Sequence, residues 1–294
     1  TYFTFSASEY SPVLDDKGKP VYSHYGLPKV IVKAFDVHPL PHFLEGPAKM
    51  LGTLGEDREL AKDLYNRVKQ SELYDKKLGM YKTSVPIDDI SMENGRIRAF
   101  TAGWLERESI FLHMEYKYLL SLLEAGLYDE FYKEIPTAMV VFRDGKEYGR
   151  SILENSSFVA SSVNPDESLH GRGFVARLSG STTEALSMWA HMFIGSKMFT
   201  YEDGELVLHL EPKLSQWMFD DKGQASFTFL STCKITYTNL YAKPTYGKEG
   251  VKVTRILIVD DGTLIEGNCI GGQLAEKIRS GEIRHIKAEL SIDS

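Results

Sequence analysis

From residue 200 onward apolar and polar positions alternate with period two. Glu205-Leu-Val-Leu-His-Leu, Ala225-Ser-Phe-Thr-Phe-Leu, Cys233-Lys-Ile-Thr-Tyr-Thr and Val251-Lys-Val-Thr-Arg-Ile-Leu-Ile-Val read as strands. Turn signals at Asp203-Gly204, Lys222-Gly223, 247–250 and Asp261-Gly262 separate them, and a short helix is predicted over 273–279. Upstream the spacing changes to that of helices. Leu60, Leu64 and Val68 recur every four residues behind a first-turn Pro47. The strongest helical pattern covers 109–123 and closes at Gly126; another covers 183–193, with Leu186, Trp189, Met192 and Phe193. The first 45 residues carry strand-like patches at 2–5 and 30–35 around the turn Asp15-Asp16-Lys17-Gly18. Helices followed by antiparallel strands predict a mixed α and β protein, a helical region over 1–199 and a β-sandwich over 200–294.

Composition narrows the classes. The chain has 294 residues, 43% hydrophobic and 26% charged, as in ordinary globular proteins. A net charge of −7 argues against a nucleic-acid partner, which needs a basic face. No apolar run reaches the ~20 residues of a membrane span. Two cysteines, Cys233 and Cys269, make no disulfide framework and no CxxC site, and reduced thiols in a cytoplasmic protein are expected. The opening Thr-Tyr-Phe-Thr-Phe begins like a strand in mid-stride, so the chain is expected to start inside a longer protein.

One stretch raises a chemical question. Residues 170–189, HGRGFVARLSGSTTEALSMW, set a histidine, two arginines and several hydroxyls before a helical run. Ser181-Thr-Thr-Glu184 matches a capping box, and the whole motif can be a helix start and nothing more. Ser179-Gly180 can instead let backbone N–H groups approach an oxyanion at a helix N-terminus, with Arg172, Arg177 and His170 within one loop-length. Elsewhere, Glu106 and Glu108 suit the start of the next helix for dipole reasons alone, and His113 is a lone helical histidine. Trp104 is a candidate for stacking on a sugar. The polar run Glu154-Asn155-Ser156-Ser157 is either a loop or part of a sugar pocket. His38 and His42 have an HxxxH spacing, but Pro39 and Pro41 forbid the helix that would join them at a metal. No Walker, GxSxG or GxGxxG motif occurs.

Three segments together resemble a known family: GRIRAFTAGWLERESIFLHMEYKYLLSLLEAGLYDEF (95–131), YGRSILENSSFVASSVNPDESLHGRGFVARLSGST (148–182) and EPKLSQWMF (211–219). They resemble the C-terminal part of cellobiose-phosphorylase-like proteins, the inverting sugar phosphorylases of glycoside hydrolase family 94. The resemblance implies the C-terminal part of an (α/α)6-barrel followed by an antiparallel jelly-roll-like β-sandwich. It implies phosphorolysis of a β-linked gluco-oligosaccharide to α-glucose 1-phosphate, with inorganic phosphate as co-substrate and no cofactor. His113, Ser179 and Gly180 then fall on the phosphate site, with Arg172 and Arg177 beside it; Trp104, Glu106 and Glu154 fall on the sugar side. A homodimer is also implied. The chain departs from the family at Ala102-Gly103-Trp104 and Glu106-Arg107, where Pro-Gly-Trp and Glu-Asn are usual. The general acid's Asp-Trp-Asn-Asp motif is absent, since none of Trp104, Trp189 and Trp217 follows an Asp. That acid, and the catalytic residue with it, is expected upstream, leaving this chain alone inactive. A water-using (α/α)6 glycoside hydrolase relative and a non-catalytic carbohydrate-binding module stand as alternatives.

Overall fold

A computed structural model describes residues 2–55, 57–175 and 179–292. The chain opens with a long antiparallel ribbon, β1 (Phe3–Pro12) and β2 (Val30–Pro39), joining the two strand-like patches of the sequence. Asp15 turns the chain at the far end, its backbone carbonyl accepting from Gly18 N–H at 2.9 Å. Helices α1 (Glu45–Thr53) and α2 (Arg58–Gln70) follow. Pro47 lies in the first turn of α1, where an intrahelical N–H has no partner to lose. Asp57 caps α2 by accepting from Leu60 N–H at 3.0 Å. The buried stripe of α2 is Ala61, Tyr65 and Val68, while Leu60 is exposed. Four-residue spacing found the face but not its centre.

A two-stranded pair, β3 (Tyr74–Asp75) and β4 (Met80–Tyr81), leads to β5 (Ile110–Phe111) and helix α3 (Leu112–Glu124). The helix predicted over 109–123 therefore starts later. Ile110 and Phe111 are drawn into a ladder with β6 (Phe158–Val159), which itself pairs with β7 (Gly173–Phe174). Helices α4 (Tyr128–Ala138), α5 (Gly145–Tyr148) and α6 (Ser179–Phe193) complete this half. Helix α3 is buried around most of its circumference, and α1, α4 and α6 pack against it.

The remaining strands are β8 (Phe199–Glu202), β9 (Glu205–His209), β10 (Gln224–Phe229), β11 (Cys233–Asn239), β12 (Lys252–Ile258), β13 (Thr263–Glu266) and β14 (Cys269–Gly271). Helix α7 (Gly272–Ser280) and β15 (His285–Ser291) follow. One sheet has the order β10-β11-β15-β12-β13 and a second the order β14-β9-β8. The expected purely antiparallel arrangement is corrected at one place: β11 and β15 run parallel. The long connection through β12, β13, β14 and α7 supplies the crossover that a parallel pair needs. Leu206, Leu208, Ile235, Ile256 and Ile278 join the helical residues in one continuous core. No helix among the described residues is long and apolar enough to cross a membrane. Cys233 is buried and Cys269 exposed, both as free thiols.

Candidate functional site

Helices α3 and α6 cross so that two distant sequence signals meet. His113 occupies the first turn of α3, and Gly180 the first turn of α6. A Cβ on Gly180 would lie 2.5 Å from His113 Nδ1, so the missing side chain is what lets the imidazole rest against the helix start. One turn along, Glu184 places Oε1 3.5 Å from His113 Nε2, and the ring is partly open to solvent. Backbone N–H groups in the first turn of a helix have no intrahelical acceptor and carry the positive end of the dipole. The arrangement therefore sets an imidazole, and a carboxylate that can orient it, against the N-terminal part of the described helix.

The same geometry corrects the capping-box reading. Ser179 and Gly180 are already helical, so Ser181 lies inside α6 rather than at an N-cap, and Glu184 stands beside His113. Arg177 and the side chain of Ser179 lie outside the described residues.

Trp104 is connected to this corner through rings. It stacks on Phe174 at 3.5 Å between centroids and 3° between planes. Phe174 neighbours Phe158 at 5.6 Å, Phe158 neighbours Phe111 at 4.8 Å, and Phe111 meets His113 edge-on at 5.9 Å. The row follows the register Phe111↔Phe158↔Phe174 across β5, β6 and β7. One face of the Trp104 indole is thus already covered, leaving at most the other for a ligand.

Residues 103–108 form a strained turn between these elements. Gly103 has φ +74°, and a Cβ there would sit 2.6 Å from the backbone nitrogen of Asn164. Leu105 and Glu108 hold φ of 52° and 53°, a region that side chains other than glycine seldom adopt. Glu106 is held by Arg96 at 2.8 Å, while its other carboxylate oxygen is buried with no hydrogen-bond partner among the described residues. Glu108 is not in the first turn of a helix, contrary to the dipole argument. It pairs with buried Lys82 at 3.6 Å, with the Arg107 guanidinium 3.9 Å away. Arg107 also bonds Asp88 and the carbonyls of Arg98 and Phe100, which gives its guanidinium a local structural role. Sequence reading missed this buried ionic group; the Glu-Arg-Glu run at 106–108 is its only trace.

Other candidates are placed elsewhere. Glu154 pairs with Arg150 at 2.8 Å, and Ser156 and Ser157 behind it are buried, so this polar run is largely internal rather than an open loop. Arg172 donates to the Ser168 carbonyl at 2.9 Å and lines a separate cavity with Lys77, Arg143 and His170. His170 is tied on both nitrogens, to the Asn164 carbonyl at 2.8 Å and Lys77 at 2.9 Å. Neither Arg172 nor His170 therefore joins the His113–Gly180 corner. Among the described residues no cluster of three His, Cys, Asp or Glu side chains could hold a metal ion. A scan against protein-family models and a search of curated proteins found no match to this chain.

Proposed function

We propose that this chain supplies the phosphate-binding wall of an inverting β-glucoside phosphorylase. The observation that carries the reading is the seat of His113 against Gly180 at the first turn of a 15-residue helix. An oxyanion there would accept from backbone N–H groups and from the imidazole. Glu184 would keep the ring oriented. In the reaction a phosphate oxygen attacks the anomeric carbon as the glycosidic C–O bond breaks, and an acid protonates the leaving oxygen. The anomeric configuration inverts because one displacement occurs.

On this reading the helices belong to the C-terminal part of an (α/α)6-barrel and the two larger sheets to a jelly-roll-like layer. The acid is contributed by residues outside 1–294. Trp104 and Glu106, at the strained turn, serve the sugar side, whereas Arg172 drops out of the phosphate set because its side chain is engaged at another cavity. The test measures glucose 1-phosphate released from a panel of β-glucosides by the chain alone, and by the chain mixed with the upstream portion of its parent gene. Phosphate-dependent release only in the mixture, reduced at least ~100-fold by His113→Ala, is the expected result. Sugar release without phosphate overturns it in favour of a hydrolase.

A further inference from the structure

A cavity of about 480 Å³ lies at the opposite end of α3 from His113, where helical and sheet segments meet. Arg58 on its wall rests against Gly126, just past the last turn of that helix. Most of the 13-residue helix, about 20 Å end to end, therefore separates the two places. Arg58 and Tyr128 are the first residues of α2 and α4, so two helices contribute their positive ends to the wall. Lys213, Lys248 and Lys252 line it as well, against one carboxylate, Glu211. In a chain of net charge −7 this is a local excess of cations. Among the described residues, Arg58, Lys213 and Lys248 have no salt-bridge partner. The neighbouring Asp129 accepts from the Tyr246 hydroxyl at 3.1 Å and forms no part of the wall.

Lys213 is the most constrained of these cations. Its N–H donates to the Met192 carbonyl at 2.7 Å, and its carbonyl accepts from the Tyr132 hydroxyl at 2.5 Å. The side chain is half-buried. Burial pulls its ammonium below the ordinary lysine range, with Glu211 opposing the effect and Lys252 adding to it. An ammonium drawn out of water without a counter-ion is costly. The wall offers it none within ion-pair reach, and the cavity has room for one.

We infer that this cavity binds a small phosphate monoester, a phosphorylated sugar or a molecule of that size. Charge sets the head group. Three cations without partners call for a dianion, and a phosphate monoester carries about −1.5 to −2 at neutral pH, where a carboxylate carries a single charge. Arginine offers phosphate oxygens a planar fork, and lysine a point charge. Size sets the rest. The volume falls in the range of small-molecule sites, and a bare phosphate ion would leave most of it empty. The half-buried rings of Tyr128 and Tyr246, with centroids 5.0 Å apart, give the organic part an apolar face. None of these residues belongs to the His113 corner, so the site does not depend on the phosphorylase reading.

The test is titration calorimetry on the whole chain at low ionic strength, where charge contacts are least screened. The probes are glucose 1-phosphate, glucose 6-phosphate and glycerol 3-phosphate, with glucose and inorganic phosphate as references. At least one ester is expected to bind, more tightly than inorganic phosphate, while glucose does not. Binding should persist in His113→Ala and weaken at least ~10-fold in both Lys213→Met and Lys248→Glu, as loss of a charge-assisted contact does. Without ligand, Lys213→Met is expected to melt no lower than wild type, because it removes an ammonium that lacks a counter-ion. Lys248 is exposed, so its variant reads binding apart from folding. No binding by any of the three esters overturns the inference, as does binding that either lysine variant leaves unchanged. Inorganic phosphate binding as tightly as the esters also overturns it. So does binding abolished by His113→Ala, which would place the ester at the other end of α3.

Discussion

At Gly180 two opposing effects can be weighed. Alanine ordinarily favours a helix by ~1 kcal/mol over glycine. Here its methyl group would stand 2.5 Å from a ring nitrogen of His113, and a packed group forced aside costs ~1–3 kcal/mol. Gly180→Ala is therefore expected to lower the melting temperature slightly despite its helix propensity. It should also cut any phosphate-dependent activity of the reconstituted enzyme by at least ~10-fold, because the imidazole moves. Thermal unfolding and phosphorolysis assays on the same preparation check both parts; an alanine variant that is stabilised and fully active would show that the contact is unimportant. Gly180 before a helical run was legible from the residues, whereas His113 read only as a lone helical histidine and entered the candidate site through the resemblance alone. Their partners were not legible. Glu184 is named by the capping-box pattern as a helix-start residue, and only the crossing of two helices reveals that it faces His113. Arg172 misleads in the opposite sense: it is close to Gly180 along the chain, but its guanidinium is spent on the Ser168 carbonyl.

On helices α3 and α6, burial sets two titrations of opposite sign. Burial pushes the Glu115 carboxyl well above the ordinary range, against the lowering effect of the Tyr81 N–H it accepts at 2.8 Å. The folded protein then holds a proton that the unfolded chain releases above about pH 4.3, so this group's stability is lost as pH rises, by up to ~1.4 kcal/mol per unit. Burial pulls His191 down to about 4, with nearby Lys213 adding to the effect. The unfolded chain binds a proton there from about pH 6.5 downward while the folded state does not, so stability is lost as pH falls toward 4. Melting temperatures across pH 4–8 should separate them. Glu115→Gln is expected to gain stability at neutral pH relative to wild type, and His191→Gln to flatten the acid limb. If neither variant changes the slope, the two groups do not govern the profile. At this scale the strands after residue 200 were plain from alternation and glycine turns, because both are local. Strand β5 was not, since Ile110 and Phe111 continue a helical spacing and only pairing with Phe158 and Val159 makes them a strand.

Across the whole molecule the helices and the larger sheets share one core, and several hydrogen bonds join them, among them Lys213 N–H to the Met192 carbonyl at 2.7 Å and one fully buried bond. Tyr237 on β11 donates to the Phe193 carbonyl at the end of α6 at 2.6 Å. Tyr237→Phe leaves that buried carbonyl unpaired and should cost about 1–3 kcal/mol. Calorimetry is expected to show one transition in the wild type and one, at lower temperature, in the variant. Two separated transitions would show that the halves unfold independently. The helix-then-strand order was readable from periodicity, but this coupling was not, because nothing local in Tyr237 names a helix terminus as its partner.

The position of β15 in its sheet has a consequence for how the protein is made. Residues 285–291 form the last of these strands to be synthesised, yet they lie between β11 and β12 and pair with both. On a ribosome, every other strand of that sheet leaves the exit tunnel before the one that joins its two halves. Until then β10-β11 and β12-β13 are two hairpins with bare inner edges, each able to capture a strand from a neighbouring nascent chain. The fold thus places an aggregation-sensitive interval between the synthesis of β10 and that of β15, when shielding by chaperones has most to contribute.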